Sequence, residues 1–211
     1  MSAGSSDAAI TPDILLRAYA VGMFPMADSA DDPGLFWLEP EKRGIMPLES
    51  FHIPRRLRRT LRTAGFELRV DTAFDAVMAA CAERAPDRPS TWINARICHL
   101  YGELHRRGYC HSVECYRDGA LVGGLYGVAI GAAFFGESMF HRATDASKAA
   151  LVHLVERLQA GGYHLLDAQF LTDHLSQFGA VEITRIEYQQ HLRAAISRQA
   201  DFFALDNAHR P

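Results

Sequence analysis

The chain has 211 residues, 48% hydrophobic and 10% aromatic, which supplies a substantial core and excludes a disordered chain. Its formal net charge is -3, so it lacks the overall positive charge of a wholesale nucleic-acid binder. No apolar run approaches the ~20 residues that span a bilayer, residues 1–7 are small and polar, and the four cysteines form no CxxC pair; a soluble, unexported, cytoplasmic protein is expected.

In chain order, residues 12–22 read as a short helix, with Pro12 at its start and Gly22 as its stop. Residues 23–50 are dense in Pro, Gly and aromatics and predict loops and short strands of a small lobe. The segment PRRLRRTLRTAG spaces Leu57 and Leu61 four apart, so it predicts an amphipathic helix with a cationic face carrying Arg55, Arg56 and Arg59. FELRV reads as a strand, TAFDAVMAACAER as a helix, and TWINARICHLYGELHRRG as a helix up to Gly108. From His111 the apolar period becomes two, predicting three strands, the first pair turning at Asp118–Gly119. A helix over ATDASKAALVHLVERLQAGG follows, capped by Thr144 or Asp145, then a buried strand HLLDAQF, a short helix, a strand VEITRI and a closing helix EYQQHLRAAIS. The outcome is an α+β protein: a small N-terminal lobe over residues 1–47, and a domain over 48–211 whose mostly antiparallel sheet is flanked by helices in the manner of GNAT acetyltransferases. Topology of this kind does not give function.

The strings GMFPM, TWI, HSVE, LVGGLYGVA, FFGESMF, ASKAAL, DAQ and HL followed by FGA stand in order across residues 22–180. Together they resemble the leucyl/phenylalanyl-tRNA-protein transferase family. The chain departs from that family's usual pattern at Leu38, Glu39 and Ala168. The resemblance implies transfer of Leu, and also Phe or Met, from aminoacyl-tRNA to proteins beginning with Lys or Arg, marking them for N-degron degradation, by a monomer without metal or cofactor.

That chemistry starts from an activated ester, so the site must hold an apolar side chain, a terminal adenosine and an attacking amine, and must take up a proton. Glu137 sits among Phe134, Phe135, Met139 and Phe140, an awkward place for a carboxylate without a partner or a task. By resemblance it orients the acceptor's amino group, with Gln169 contacting the amine and Asp167 polarising Gln169. Alternation along HLLDAQF sends Asp167 and Gln169 to one face. Trp92, ahead of a helix, suits stacking on the adenine, with Tyr101 able to approach the same end. Phe134, Met139 and Leu125 are the candidates for the amino-acid pocket. Glu114 and Glu137 are the candidates for the acceptor's cationic side.

His99, His105 and His111 recur at six residues, a spacing that fits no zinc site. Two rival readings are an acetyl-CoA-dependent N-acetyltransferase, against which FHRATDASK offers no glycine for a pyrophosphate cradle, and a non-catalytic RNA-binding module using the arginine helix. The second leaves Glu137, Asp167 and Gln169 idle.

Overall fold

A computed structural model describes residues 10–32, 34–84 and 90–207. Residues 1–7, read above for an export signal, lie outside them. Helix α1 (Pro12–Ala20) is capped by Thr11, whose side chain accepts from the N–H of Ile14 at 3.3 Å, and it buries Leu15, Ala18 and Tyr19. Strands β1 (Phe24–Met26) and β2 (Phe36–Leu38) form a two-stranded antiparallel sheet. Then come β3 (Lys42–Ile45), a 3-10 turn at Leu48–Ser50, the basic helix α2 (Arg55–Thr63), β4 (Glu67–Val70), α3 (Phe74–Ala82) and α4 (Ala95–Arg106). The meander is β5 (Cys110–Arg117), β6 (Ala120–Ile130) and β7 (Ala133–His141). Asp118 and Gly119 at its first turn both have positive φ, the backbone a two-residue hairpin of type I′ requires. The chain ends with α5 (Ala146–Ala160), β8 (Leu165–Gln169), α6 (Asp173–Ser176), β9 (Val181–Thr184), α7 (Arg185–Ile196) and α8 (Ala204–Asn207).

Seven strands make the large sheet in the order β4-β5-β6-β7-β8-β3-β9. Every pairing is antiparallel except β7 with β8. Lys42–Ile45, which the sequence groups with the small lobe, is thus hydrogen-bonded between β8 and β9. Gly44 permits this, because a Cβ there would lie 2.6 Å from the carbonyl carbon of Phe170. The pattern VEITRI predicts a strand through Ile186, but it ends at Thr184. Thr184 and Glu187 form a reciprocal capping box that starts α7 two residues earlier.

The sheet separates two apolar clusters. On one face α1, α3, α4 and α7 contribute Tyr19, Val77, Tyr101 and Tyr188, and on the other α5 packs Leu151, Leu154 and Leu158 beside Leu57 of α2. Neighbours Phe135 and Phe134 of β7 feed the first and second cluster respectively, the alternation expected of a central strand.

Candidate active site

Strands β7 and β8 pair over three residues, from Ala133 opposite Leu165 to Phe135 opposite Asp167, and then part. A cavity of about 320 Å³ opens where they diverge. Its apolar wall is Leu125, Met139, Leu151, Leu154, Leu166 and Met46; its polar edge includes Glu137, Asp167 and Gln169.

Two bulges aim those polar groups. Tyr126 faces Ser138 and Gly127 faces Gly136, so Glu137 is the additional residue on β7. Strict alternation from Phe135 would send Met139 into the first cluster and Phe140 into the second. The bulge reverses this, and Glu137 turns toward Tyr19 and Tyr101 on the first-cluster side. On β8, Gly44 faces Gln169 and Ile45 faces Asp167, so Ala168 is the additional residue and Gln169 adopts φ 56. The simple alternation used to pair Asp167 with Gln169 does not run through a bulge. What unites them is the cavity both line and the bond from the Gln169 N–H to Asp167 Oδ1 at 2.8 Å.

Glu137 accepts from the hydroxyl of Tyr19 at 2.6 Å and from that of Tyr101 at 3.1 Å, and the two hydroxyls also bond to each other. Burial pushes the Glu137 carboxyl up to about 7, against the two tyrosine donors, which pull it down; Asp167 adds to the rise and Arg43 opposes it. Tyr101, offered by the sequence for the adenosine, is fully buried, so no face of its ring is open to a base.

Asp167 is fully buried and heavily engaged. Arg43 grips both its oxygens, at 2.9 and 3.1 Å from Nε and 2.6 Å from one terminal nitrogen, and Tyr188 donates to Oδ2 at 2.7 Å. The guanidinium lies 4.5 Å from the ring centres of both Phe24 and Tyr188, and it also donates to the carbonyl of Gly22. Asp167 therefore meets Gln169 through the main chain, while Gln169 Nε2 finds no partner among the described residues. Arg43, Tyr19 and Tyr188 were not legible as site residues: nothing in EKRG or LRAYA sets them apart from surface charge and core packing.

Leu125 and Met139 line the cavity as expected. Phe134 does not; it lies fully buried behind the wall, stacked on Phe202 at 5.7 Å between ring centres. Glu114 is also fully buried, bonded to Thr72 and Ser112, so it presents no charge at an entrance. Trp92 is half-buried against the first cluster and does not line the cavity. On α2, Leu57 is the buried anchor, while Arg55, Arg56 and Arg59 are exposed and make no ion pair among the described residues. A cationic face results.

The family model described as leucyl/phenylalanyl-tRNA protein transferase matches residues 45–193, and that described as the N-terminal domain of the same protein matches residues 8–41. A leucyl/phenylalanyl-tRNA--protein transferase of Nitrobacter winogradskyi is 61% identical over 205 residues, covering 97% of this chain and 91% of the relative. One from Paramagnetospirillum magneticum is 62% identical over 193 residues, covering 92% of each. Among solved structures, FemX superposes with a TM-score of 0.56 at 11% identity, over 82% of this chain and 67% of that one, a likeness of fold. The chain belongs to the leucyl/phenylalanyl-tRNA protein transferase family, an aminoacyltransferase family.

Proposed function

We propose that this chain transfers Leu, and also Phe or Met, from aminoacyl-tRNA to the N-terminal Lys or Arg of acceptor proteins, marking them for degradation, as a cytoplasmic monomer. The observation that carries this reading is a cavity with an aliphatic and thioether wall and a single edge of Glu137, Asp167 and Gln169. The wall takes the donor's side chain, selecting by size and apolarity. The ester carbonyl then lies at the polar edge, where Glu137 and the free amide of Gln169 face the incoming α-amine. Asp167, locked by Arg43 and Tyr188, holds Gln169 in its left-handed backbone conformation. Trp92 stacks the terminal adenosine, and Arg55, Arg56 and Arg59 hold the tRNA backbone through phosphate contacts. The full burial of Tyr101 and Phe134 makes them supports of this site, the first behind Glu137 and the second behind the cavity wall.

The test is transfer of labelled leucine from leucyl-tRNA to a peptide beginning with Arg. Wild type labels the peptide, while Glu137→Ala and Asp167→Asn, checked by circular dichroism for an intact fold, lose the label and keep tRNA affinity. Undiminished transfer by both variants, or none by wild type that binds the tRNA, refutes the assignment.

A further inference from the structure

Three side chains at the cavity's back form a closed ring: Tyr19 with Glu137 Oε1 at 2.6 Å, Tyr101 with Glu137 Oε2 at 3.1 Å, and Tyr19 with Tyr101. Each contact needs one proton between its atoms, and the two hydroxyls own only two. Both tyrosines are fully buried and hold their protons well beyond the usual range, through desolvation and the neighbouring carboxylate. The missing proton therefore belongs on Glu137, whose ionised form leaves one contact without a proton. Of the three residues only Glu137 lines the cavity.

We infer that Glu137 is the group that takes the proton from the acceptor's α-ammonium, with Tyr19 and Tyr101 as positioning residues that complete the ring around it. This rests on the aminoacyl transfer proposed above. The acceptor enters as an ammonium paired with ionised Glu137, and one N–H proton passes to Glu137, closing the ring and leaving a neutral amine. Its nitrogen then bonds to the ester carbonyl carbon. As the bond from that carbon to the ribose 3′ oxygen breaks, the amine's second proton goes to that oxygen. The products are an amide, a free 3′ hydroxyl and a protonated Glu137, which returns its proton to water. No oxidant, metal or covalent enzyme intermediate enters the balance.

The groups facing this carboxyl are Tyr19 of α1, Tyr101 of α4, Tyr126 of β6, Cys110 of β5, Arg43 of β3 and Asp167 of β8, whose partner is Tyr188 of α7. Arg43 and Asp167 neutralise one another, so the tyrosine donors and burial set the balance. With its carboxyl at about 7, Glu137 lies within about one pH unit of an α-amine at ~7.7–8.0, so the transfer is unfavourable by about tenfold. An exposed glutamate near 4.3 would face a deficit of several thousandfold.

The experiment is single-turnover transfer from leucyl-tRNA to saturating Arg-initiated peptide between pH 5.5 and 9, with acceptors of differing α-amine basicity. Wild type is expected to rise through a midpoint near 7. In Glu137→Gln the rate should fall at least tenfold at pH 7, and the midpoint should move up to the acceptor amine's own value and follow it from peptide to peptide. Tyr19→Phe and Tyr101→Phe remove a donor from the carboxylate and should each shift the midpoint upward while leaving tRNA affinity unchanged. An unaltered midpoint in Glu137→Gln, with or without a uniform loss of rate, overturns the proposal. A wild type that transfers nothing at any pH overturns the functional reading and this step with it.

Discussion

Glu137→Gln should stabilise the fold in alkaline solution while impairing the reaction, because the native state holds a carboxyl where burial disfavours its charge. The folded carboxyl sits at about 7 against an ordinary 4.5, so protonated Glu137 favours the native state and ionised Glu137 opposes it. The sign follows from a raised carboxyl: its contribution is fully present below 4.5 and is lost as pH rises through about 7. That displacement corresponds to about 3 kcal/mol once pH lies well above both values. Glutamine reproduces the protonated carboxyl in the ring, its amide nitrogen donating and its oxygen accepting, so most of this, a net gain of about 3 kcal/mol, is expected at pH 8.5. At pH 4.5 wild type is itself largely protonated in the native state, the gain disappears, and the variant equals wild type. Urea denaturation of both proteins at the two pH values, with equal slopes, measures this. A stability difference that does not change with pH would refute the claim that desolvation governs this carboxyl.

Arg43→Met strands Asp167 as an unpaired buried charge and should cost ~3–5 kcal/mol in urea denaturation. Pairing it with Asp167→Leu should recover part of that loss, whereas equal losses in single and double variants would show that Arg43 stabilises by packing alone. Leu154→Ala enlarges the cavity and should raise the kcat/KM ratio of Phe to Leu donors by about tenfold, within the ~1–3 kcal/mol that an apolar pocket discriminates. A donor competition assay that finds the ratio unchanged would place the side chain elsewhere. Replacing Arg55, Arg56 and Arg59 together with Ala should weaken tRNA binding and flatten the plot of log affinity against log salt by about 2–3, near one for each phosphate no longer neutralised. Binding at several salt concentrations with an unaltered slope would remove α2 from the interface.

The long periodic elements were legible because their apolar residues repeat over two or more turns or strand pairs. In α2, Leu57 recurs at Leu61 among arginines, and β5 with β6 flanks the Asp118–Gly119 turn, both of whose residues have positive φ. The cavity's apolar wall was legible only in part. Leu125 and Met139 follow from the strand pattern, but Leu151, Leu154 and Leu166 are equally good core residues and reach the cavity through the divergence of β7 and β8. The bulges at Glu137 and Ala168 were not legible, since a bulge leaves residue types unchanged and alters only which face they meet. The engagement of Asp167 by Arg43 spans 124 residues and depends on β3 inserting beside β8, a pairing no local pattern announces. The family resemblance supplied Glu137, Asp167 and Gln169 together, whereas the tyrosine ring and the Arg43 clamp divide their tasks.

The rival reading, an acetyl-CoA-dependent N-acetyltransferase, requires a site that takes a thioester of coenzyme A in place of an ester of tRNA. A pyrophosphate cradle needs free backbone amides and a favourable helix dipole at the start of the helix after the meander. Here the residue at that start, Asp145, adopts φ 66 without capping the helix, and its carboxylate pairs with Lys148 at 2.6 Å. The N–H of Ala146 is already bonded to the carbonyl of Ala143. Helix α5 also presses on the sheet: a Cβ at Gly123 would lie 2.8 Å from the carbonyl carbon of Ala146 and 3.0 Å from the nitrogen of Ser147. An anion is thus present where a pyrophosphate would have to bind, and one of the needed amides is spent. The cationic surface lies instead on α2, in a segment that contributes Leu57 to the core and leaves its arginines to solvent. Under the proposed function, the same parting of β7 from β8 receives only the aminoacyl end, while the polyanion is held away from the helix start.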